Sequence, residues 1–126
     1  MKATKEIAVR FLEAWNTHDV DTVANIYSED VTYLDPNTRG AIESREAMRR
    51  YLTKLFAAWK MHYELVELQT GDQDGKCSVK WAATFQRRGD GQVIHLQGLD
   101  IVEFHDGLVT RNEVYFDRSA LFAGAA

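Results

Sequence analysis

One aspartate interrupts the apolar face of a predicted strand. The segment from Val93 to Phe104 has the composition of a single long strand, in which side chains alternate between two faces. A carboxyl group on a face directed at the core is costly unless it is paired, protonated or used in chemistry. Asp100 is therefore predicted to lie in a functional pocket. The other residues on its face are all apolar or small, namely Ile94, Leu96, Gly98, Val102 and Phe104.

A second carboxyl group of interest is Asp35, which stands directly before Pro36, the only proline of the chain. Proline holds the preceding residue in an extended conformation, so Asp35 ends a strand predicted over residues 31–35. Enolate chemistry needs a base that reaches a carbon beside a carbonyl, and a group that holds the charge on oxygen. Two carboxyl groups in one apolar cavity can supply both. Two alternatives stay open, a turn capped by Asp35 and a buried cation paired with Asp100.

The composition excludes several classes of function. The chain of 126 residues fits one domain, and its net charge of −4 disfavours nucleic acids and anionic membranes as partners. Cys77 is the only cysteine and cannot form an internal disulfide, and no histidine or cysteine pair has metal-ligand spacing. Glycine-rich phosphate loops, apolar bilayer-spanning runs and a signal peptide are not found in the sequence. We therefore expect a cytoplasmic protein that needs neither a metal nor a cofactor.

Three helices are predicted in the first half of the chain. The first has apolar residues at a spacing of four that end at Trp15. Asp19 is expected to cap a second, short helix that extends through Tyr27 and is ended by residues 28–30. Ser44 is expected to cap the third helix. This third helix has the clearest apolar stripe, formed by Met48, Tyr51, Leu52, Leu55, Phe56 and Trp59.

The second half of the chain predicts a sheet. Tight turns separate strands at residues 61–69, 77–87, 92–104 and 108–116, and short connections imply antiparallel pairing. Gly98 interrupts the long strand and is expected to mark a bend. Helices followed by a run of strands indicate the α+β class. A strongly curved antiparallel sheet wrapped around three N-terminal helices forms a cone with one open end.

Three sequence motifs carry a resemblance to a known family. They are FLEAWN at 11–16 followed by HDVD at 18–21, IYSEDVTYLDP at 26–36, and GLDIVEF at 98–104 followed by DG at 106–107. The chain resembles the SnoaL-like polyketide cyclases and ketosteroid isomerases of the nuclear transport factor 2-like superfamily. The resemblance covers residues 5–122 and implies one domain with a cystatin-like cone fold, followed by a frayed tail at 123–126.

The resemblance also implies roles for individual residues. In ketosteroid isomerases an Asp-Pro pair at the end of the first strand supplies the general base, and Asp35 matches it. An aspartic acid on the long strand donates a hydrogen bond to the enolate oxygen, and Asp100 matches that position. The second donor is a tyrosine of the first helix, where this chain has Phe11. This departure argues against activity on steroids, because phenylalanine has no hydroxyl group.

The inward faces of the elements predict an aromatic pocket that suits a small hydrophobic ligand. By the family alignment, the face of the last strand that carries Asn112 points inward. Plain core packing is the alternative for most of these side chains. His18 lies in a turn and is expected to be exposed. The predicted pocket residues are Phe11, Trp15, Tyr33, Phe56, Trp81, Phe85, Asn112, Val114 and Phe116.

These observations favour an acid/base enzyme acting without a cofactor on a small hydrophobic carbonyl compound, by isomerisation or aldol cyclisation. One alternative is a non-catalytic module of the same fold that binds a small ligand or another protein. A weaker alternative, an epoxide hydrolase, requires an inward arginine between two aspartates, and none is found. The outer face of the long strand is partly apolar, which predicts a homodimer through the sheet. That face carries Val93, His95, Gln97, Leu99 and Ile101.

Overall fold

The elements of the chain confirm the α+β class. The computed structural model describes residues 2–70, 75–89 and 91–121, so the predicted tail at 123–126 lies outside the described residues. The helices are α1 (Lys2–Asn16), α2 (Val20–Ala24) and α3 (Arg45–Ala58), with a 3-10 helix at Arg118–Leu121. The strands are β1 (Tyr27–Leu34), β2 (Trp59–Thr70), β3 (Lys76–Arg87), β4 (Val93–His105) and β5 (Leu108–Tyr115).

Both predicted helix caps are present. The side chain of Asp19 accepts a hydrogen bond from the backbone N–H of Thr22, and that of Ser44 accepts one from Ala47. No helix of the described residues combines the length and the apolar character that a membrane crossing requires.

The predicted extent of the second helix is wrong. Helix α2 ends at Ala24, and Tyr27 begins β1, so residues 28–30 belong to a strand. Tyr27 pairs with Val109 of β5, whose N–H donates to the carbonyl oxygen of Ile26. This pairing with a distant strand outweighs the local helical pattern.

The sheet has the strand order β1-β5-β4-β3-β2. Three neighbouring pairs are antiparallel as predicted, whereas β1 runs parallel to β5. Asp100 of β4 lies opposite Val79 of β3 and Val114 of β5. The central position of β4 therefore surrounds this carboxyl group with backbone from both sides.

The helices pack on one face of the sheet and form the core with it. The joint between α1 and β2 is polar, because the Asn16 side chain accepts from the N–H of Tyr63 at 2.7 Å and donates to its carbonyl oxygen at 3.0 Å. His18 is half-buried at the same joint, where its Nε2 accepts from the N–H of Met61 at 3.0 Å. The expectation of an exposed His18 is thus wrong, since the turn folds back onto β2.

The opposite face of the sheet leaves large apolar side chains in contact with solvent. Leu99 of β4 is 38% exposed and Tyr115 of β5 is 48% exposed. Arg111 forms ion pairs with Glu103 and Glu113 beside them. The homodimer expected through this face stays a prediction.

Candidate active site

A narrow cavity lies between the helices and the inner face of the sheet. The space between its walls, counted together with the solvent at its mouth, is about 430 Å³. Besides the two predicted carboxyl groups, Asp35 and Asp100, its wall includes one amide, Asn37. The rest of the wall is aromatic or aliphatic and consists of Phe11, Leu12, Trp15, Tyr33, Tyr51, Leu55, Met61, Tyr63, Trp81, Phe85, Val114 and Phe116.

Two of the predicted pocket residues lie behind this wall. Phe56 is buried against Trp15, with ring centroids 5.8 Å apart, and against His18 at 5.1 Å. Asn112 is completely buried and contacts Asp100 instead of the cavity. The other seven predicted residues do line the cavity. The inward faces were therefore placed correctly, whereas Phe56 and Asn112 lie deeper than predicted.

Asp100 is held by two uncharged donors. The indole Nε1 of Trp81 donates to Oδ1 at 2.9 Å, and the amide Nδ2 of Asn112 donates to Oδ2 at 3.3 Å. Only 4% of the residue is exposed. Burial raises the pKa of Asp100 from 3.8 to about 7, with the charge of Asp35 adding to the rise and the two hydrogen bonds opposing it. The carboxyl group therefore changes its charge near neutral pH.

A chain of buried hydrogen bonds orients the Asn112 side chain. Trp15 Nε1 donates to the Tyr27 hydroxyl at 3.1 Å, and that hydroxyl donates to Oδ1 of Asn112 at 2.8 Å. The amide nitrogen of Asn112 consequently faces Asp100 as a donor. Neither Asn112 Nδ2 nor Trp81 Nε1 can accept a proton. A proton on Asp100 is thus not taken up by either of these two partners, and Asp100 itself lines the cavity.

The position of Trp81 depends on Gly98, its partner across the β3–β4 ladder. A Cβ atom at position 98 would lie 2.3 Å from Cζ2 of the indole ring. Glycine therefore leaves the space that the ring needs in order to reach Asp100. Packing against the indole is a reason for glycine here beyond the bend expected from the sequence.

Asp35 is held by four donors at the end of β1. Its Oδ2 accepts from the hydroxyl of Tyr33 at 2.6 Å and from the hydroxyl of Tyr51. Its Oδ1 accepts from the backbone N–H of Asn37 at 2.7 Å and of Thr38 at 3.1 Å. Asp35 therefore caps a turn, as the alternative interpretation predicted, and it also lines the cavity, while its catalytic role stays a prediction. Four donors use all the lone pairs that a carboxylate offers.

Both tyrosines that contact Asp35 remain donors. Burial raises the pKa of Tyr33 and of Tyr51 above the usual range, and the charge of Asp35 adds to the rise. In the sequence Tyr51 belongs to the apolar stripe of α3, which gives no sign of its contact with Asp35. Tyr63 was not among the predicted pocket residues, although the two-residue period of β2 puts Met61 and Tyr63 on the same face. The described part of the cavity wall contains no arginine.

The structure is similar to several solved proteins. One is a protein with a ketosteroid isomerase-like fold from Catenulispora acidiphila DSM 44928, with a TM-score of 0.83, 14% identity, and coverage of 94% of this chain and 90% of that chain. Another is SalBIII, an epoxide hydrolase/cyclase-like enzyme in pyran ring formation in the polyether salinomycin, with a TM-score of 0.82, 22% identity, and coverage of 94% of each chain. An LEH-like epoxide hydrolase of M. tuberculosis has a TM-score of 0.76, 18% identity, and coverage of 94% and 86%. These identities establish the fold alone.

Two sequence comparisons go further than the fold. The cyclase aurE of Calcarisporium arbuscula is 30% identical over 112 residues, which are 84% of this chain and 81% of that protein. A family model described as SnoaL-like domain matches residues 8–112. The match includes β1 with Asp35 and β4 with Asp100. With its cone-shaped fold and a match over most of its length, this chain belongs to the SnoaL-like family of the nuclear transport factor 2-like superfamily.

Proposed function

We propose that this protein is an acid/base enzyme that acts without a cofactor and forms an enolate from a small hydrophobic carbonyl compound. The observation that carries the proposal is the environment of Asp100, a buried carboxyl group whose two partners are uncharged donors. Its pKa of about 7 lets it both accept and return a proton at neutral pH. The cyclase name of a relative supports this class of chemistry.

The hydrogen bonds favour a particular division of labour between the two carboxyl groups. Asp35 already accepts four hydrogen bonds, so a substrate proton can reach it only if a donor leaves. Asp100 accepts two and retains free lone pairs. We therefore assign proton exchange to Asp100 and not to Asp35. The family resemblance gives the base to Asp35 instead, and the pH dependence of the reaction separates the two assignments.

The proposed reaction needs no further reactant. The Asp100 carboxylate takes a proton from the carbon beside the carbonyl, and the electron pair of that C–H bond moves onto the carbonyl oxygen as an enolate. In an isomerisation, protonated Asp100 returns the proton to another carbon of the conjugated system. In an aldol cyclisation, the enolate carbon attacks a second carbonyl of the same molecule, and the proton goes to the new alkoxide.

The cavity wall supports a flat, hydrophobic substrate. Rings from the first helix and from the sheet face this space, among them Trp15, Trp81 and Phe116. Trp81 and Phe116 contact each other with centroids 6.1 Å apart. Aromatic surfaces of this kind bind conjugated or polycyclic molecules by burial of apolar area.

The alternatives from the sequence fit the site less well. A non-catalytic module with an ion pair on Asp100 fits less well, because the two residues that hold Asp100 are uncharged. Epoxide hydrolysis by two aspartates and an arginine requires that the arginine lies between the two carboxyl groups. The described wall provides Trp81 beside Asp100 and no arginine.

Deuterium exchange tests the proposal without knowledge of the product. A panel of cyclic ketones and β-diketones in D2O is followed by NMR for loss of the protons beside the carbonyl. We expect catalysed exchange for some members, and a loss of about 100-fold or more in Asp100→Asn, the size of effect that general base catalysis produces. Asp106→Asn, in the exposed β4–β5 turn, is the matched control. Equal exchange by Asp100→Asn and the unmodified protein contradicts the proposal.

A further inference from the structure

The hydroxyl group of Tyr63 has an unusual position in the cavity. Tyr63 lies on β2 and lines the cavity wall. The hydrogen bond found for its hydroxyl is a contact of 3.5 Å with the sulfur of Met61. A thioether is a weak acceptor, and a polar group inside an apolar cavity normally has a stronger partner. By contrast, Tyr33 and Tyr51 both donate to Asp35.

The ring that carries this hydroxyl is held firmly. It meets Trp81 edge to face with centroids 4.9 Å apart, and it contacts Phe85 at 5.8 Å. Its backbone N–H and C=O are both bonded to the Asn16 side chain. A donor that is fixed before the substrate arrives stabilises developing charge without a cost for reorganisation.

The electrostatics keep the hydroxyl of Tyr63 protonated. Burial raises the pKa of Tyr63 well above its usual value, and the charge of Asp100 and then that of Asp35 raise it further. Trp81 contacts both the Tyr63 ring and the Asp100 carboxyl group. Tyr63 therefore offers an O–H donor close to the group to which we assign proton exchange.

We propose that the Tyr63 hydroxyl donates the hydrogen bond to the substrate oxygen that becomes negative when the enolate forms. This inference rests on the proposed function. Asp100 takes the proton from carbon, the electron pair moves to oxygen, and Tyr63 keeps its own proton while donating to that oxygen. The substrate must therefore present its carbonyl oxygen to β2 and the adjacent C–H to β4. Tyr63 of β2 thus provides the hydroxyl group that Phe11 of α1 does not have.

Binding of 2-naphthol compared with naphthalene tests this assignment. The naphthol oxygen imitates an enolate oxygen, whereas naphthalene has the same rings and no oxygen. At pH 6, where Asp100 is mostly protonated, we expect the unmodified protein to prefer naphthol. We expect Tyr63→Phe to reduce this preference by about tenfold, the effect of one hydrogen bond to the naphthol oxygen. Naphthalene binding is expected to stay unchanged, and the ionised fraction of bound naphthol, read from its absorbance, is expected to fall.

One further variant controls the experiment. Tyr115→Phe removes a hydroxyl on the opposite face of the sheet and is expected to keep the preference for naphthol. A preference that survives in Tyr63→Phe, or that falls equally in Tyr115→Phe, overturns the inference. Deuterium exchange by Asp100→Asn reports on the proposed function separately, so the two failures are distinguishable.

Discussion

Asp35 and Asp100 have the same type of side chain and line the same cavity, but the fold gives their carboxyl groups different surroundings. Both are buried, at 8% and 4% exposure. Asp35 lies at the end of a strand, where a turn and two tyrosines supply four donors. Asp100 lies in the middle of a strand between paired neighbours, where only Trp81 and Asn112 reach it.

The comparison shows that burial alone does not determine what a carboxyl group can do. Two backbone N–H groups and two hydroxyls replace the water that Asp35 loses, so its charge is well solvated by the protein. Asp100 loses the same water and regains half as many hydrogen bonds. The strand centre therefore produces a group that titrates near neutrality, and the strand end produces a carboxyl group whose oxygens are fully hydrogen-bonded.

The largest effect that we expect is the difference in stability between Asp35→Asn and Asp100→Asn. In Asp35→Asn the new NH2 group must face two of the four donors, so we expect a loss of about 2–4 kcal/mol in the free energy of unfolding. In Asp100→Asn only one donor is lost. At pH 8 the substitution also removes a buried negative charge. That charge destabilises the folded state by about 4 kcal/mol, because the pKa of Asp100 is raised from 3.8 to about 7. Asp100→Asn is therefore expected to be neutral or stabilising at pH 8.

Urea denaturation at pH 8 and pH 4 measures this contrast. The raised pKa of Asp100 means that the folded state binds the proton more tightly, so its contribution to stability is full below about pH 4 and is lost as pH rises through about 7. The free energy of unfolding of Asp100→Asn, relative to that of the unmodified protein, should therefore increase from pH 4 to pH 8. Equal losses from both variants at pH 8 would show that the two environments do not differ as described.

The pH dependence of the exchange reaction sharpens the comparison of roles. If Asp100 is the base, the rate of exchange rises about tenfold per pH unit and levels off near pH 7, because the ionised form is the active one. If Asp35 is the base and neutral Asp100 the donor, the rate falls above pH 7. Rates from pH 5 to 9 with one ketone distinguish the two, and only a rising profile agrees with our assignment.

Much of the fold could be predicted from the sequence, since its elements have strong local signals. Caps at Asp19 and Ser44 and the alternation around Asp100 identify helices and strands by contacts close in the chain. The parallel pairing of Tyr27 with Val109 could not be predicted, because it depends on where a strand 82 positions away is placed. Local patterns carry no information about such a partner.

The same limit applies to the site: local patterns identify its carboxyl groups but not their partners from distant elements. The misfit of Asp100 on an apolar face marks it without any alignment, and the Asp-Pro pair marks Asp35. The partners of these groups come from other elements, so neither Trp81 as a donor to Asp100 nor Tyr51 as a donor to Asp35 has a signal in the sequence. Tyr63 has the right periodicity for an inward position. Its weakly bonded hydroxyl becomes visible only when the surroundings are known.

Gly98→Ala tests whether packing maintains the environment of Asp100. The new Cβ would clash with the indole of Trp81 and displace it, which we expect to cost about 1–3 kcal/mol in the free energy of unfolding. Loss of the indole hydrogen bond removes an influence that lowers the pKa of Asp100, so that pKa should rise further. Thermal unfolding and NMR titration of the carboxyl carbon measure the two effects.

A double-mutant cycle isolates the clash in this experiment. Trp81→Phe removes the indole atoms that a Cβ at position 98 would meet, so Gly98→Ala should cost less in that background than in the unmodified protein. Additive losses would mean that the indole does not depend on Gly98. The pKa of Asp100 would then not depend on Gly98 through the position of the ring.

The smallest effect concerns His18, whose response to pH is opposite to that of Asp100. Burial lowers the pKa of His18, and Arg88, Lys60 and His62 add to this, while a hydrogen bond to the carbonyl oxygen of Asn16 opposes it. The folded state therefore prefers neutral His18. Its contribution to stability is present above about pH 6.5 and is lost as pH falls through the lowered pKa.

His18→Asn in the Asp100→Asn background makes this small effect measurable, because the opposing titration is removed. Asparagine tolerates the positive φ of 58° at position 18 but is too short to keep the bond to the N–H of Met61. We expect a loss of about 0.5–1 kcal/mol at pH 8, the size of one hydrogen bond, and a smaller loss at pH 5. His62→Asn on the exposed side of β2 is the control. A loss that is the same at both pH values would show that His18 does not titrate in this range, and that Asp100 dominates the pH response alone.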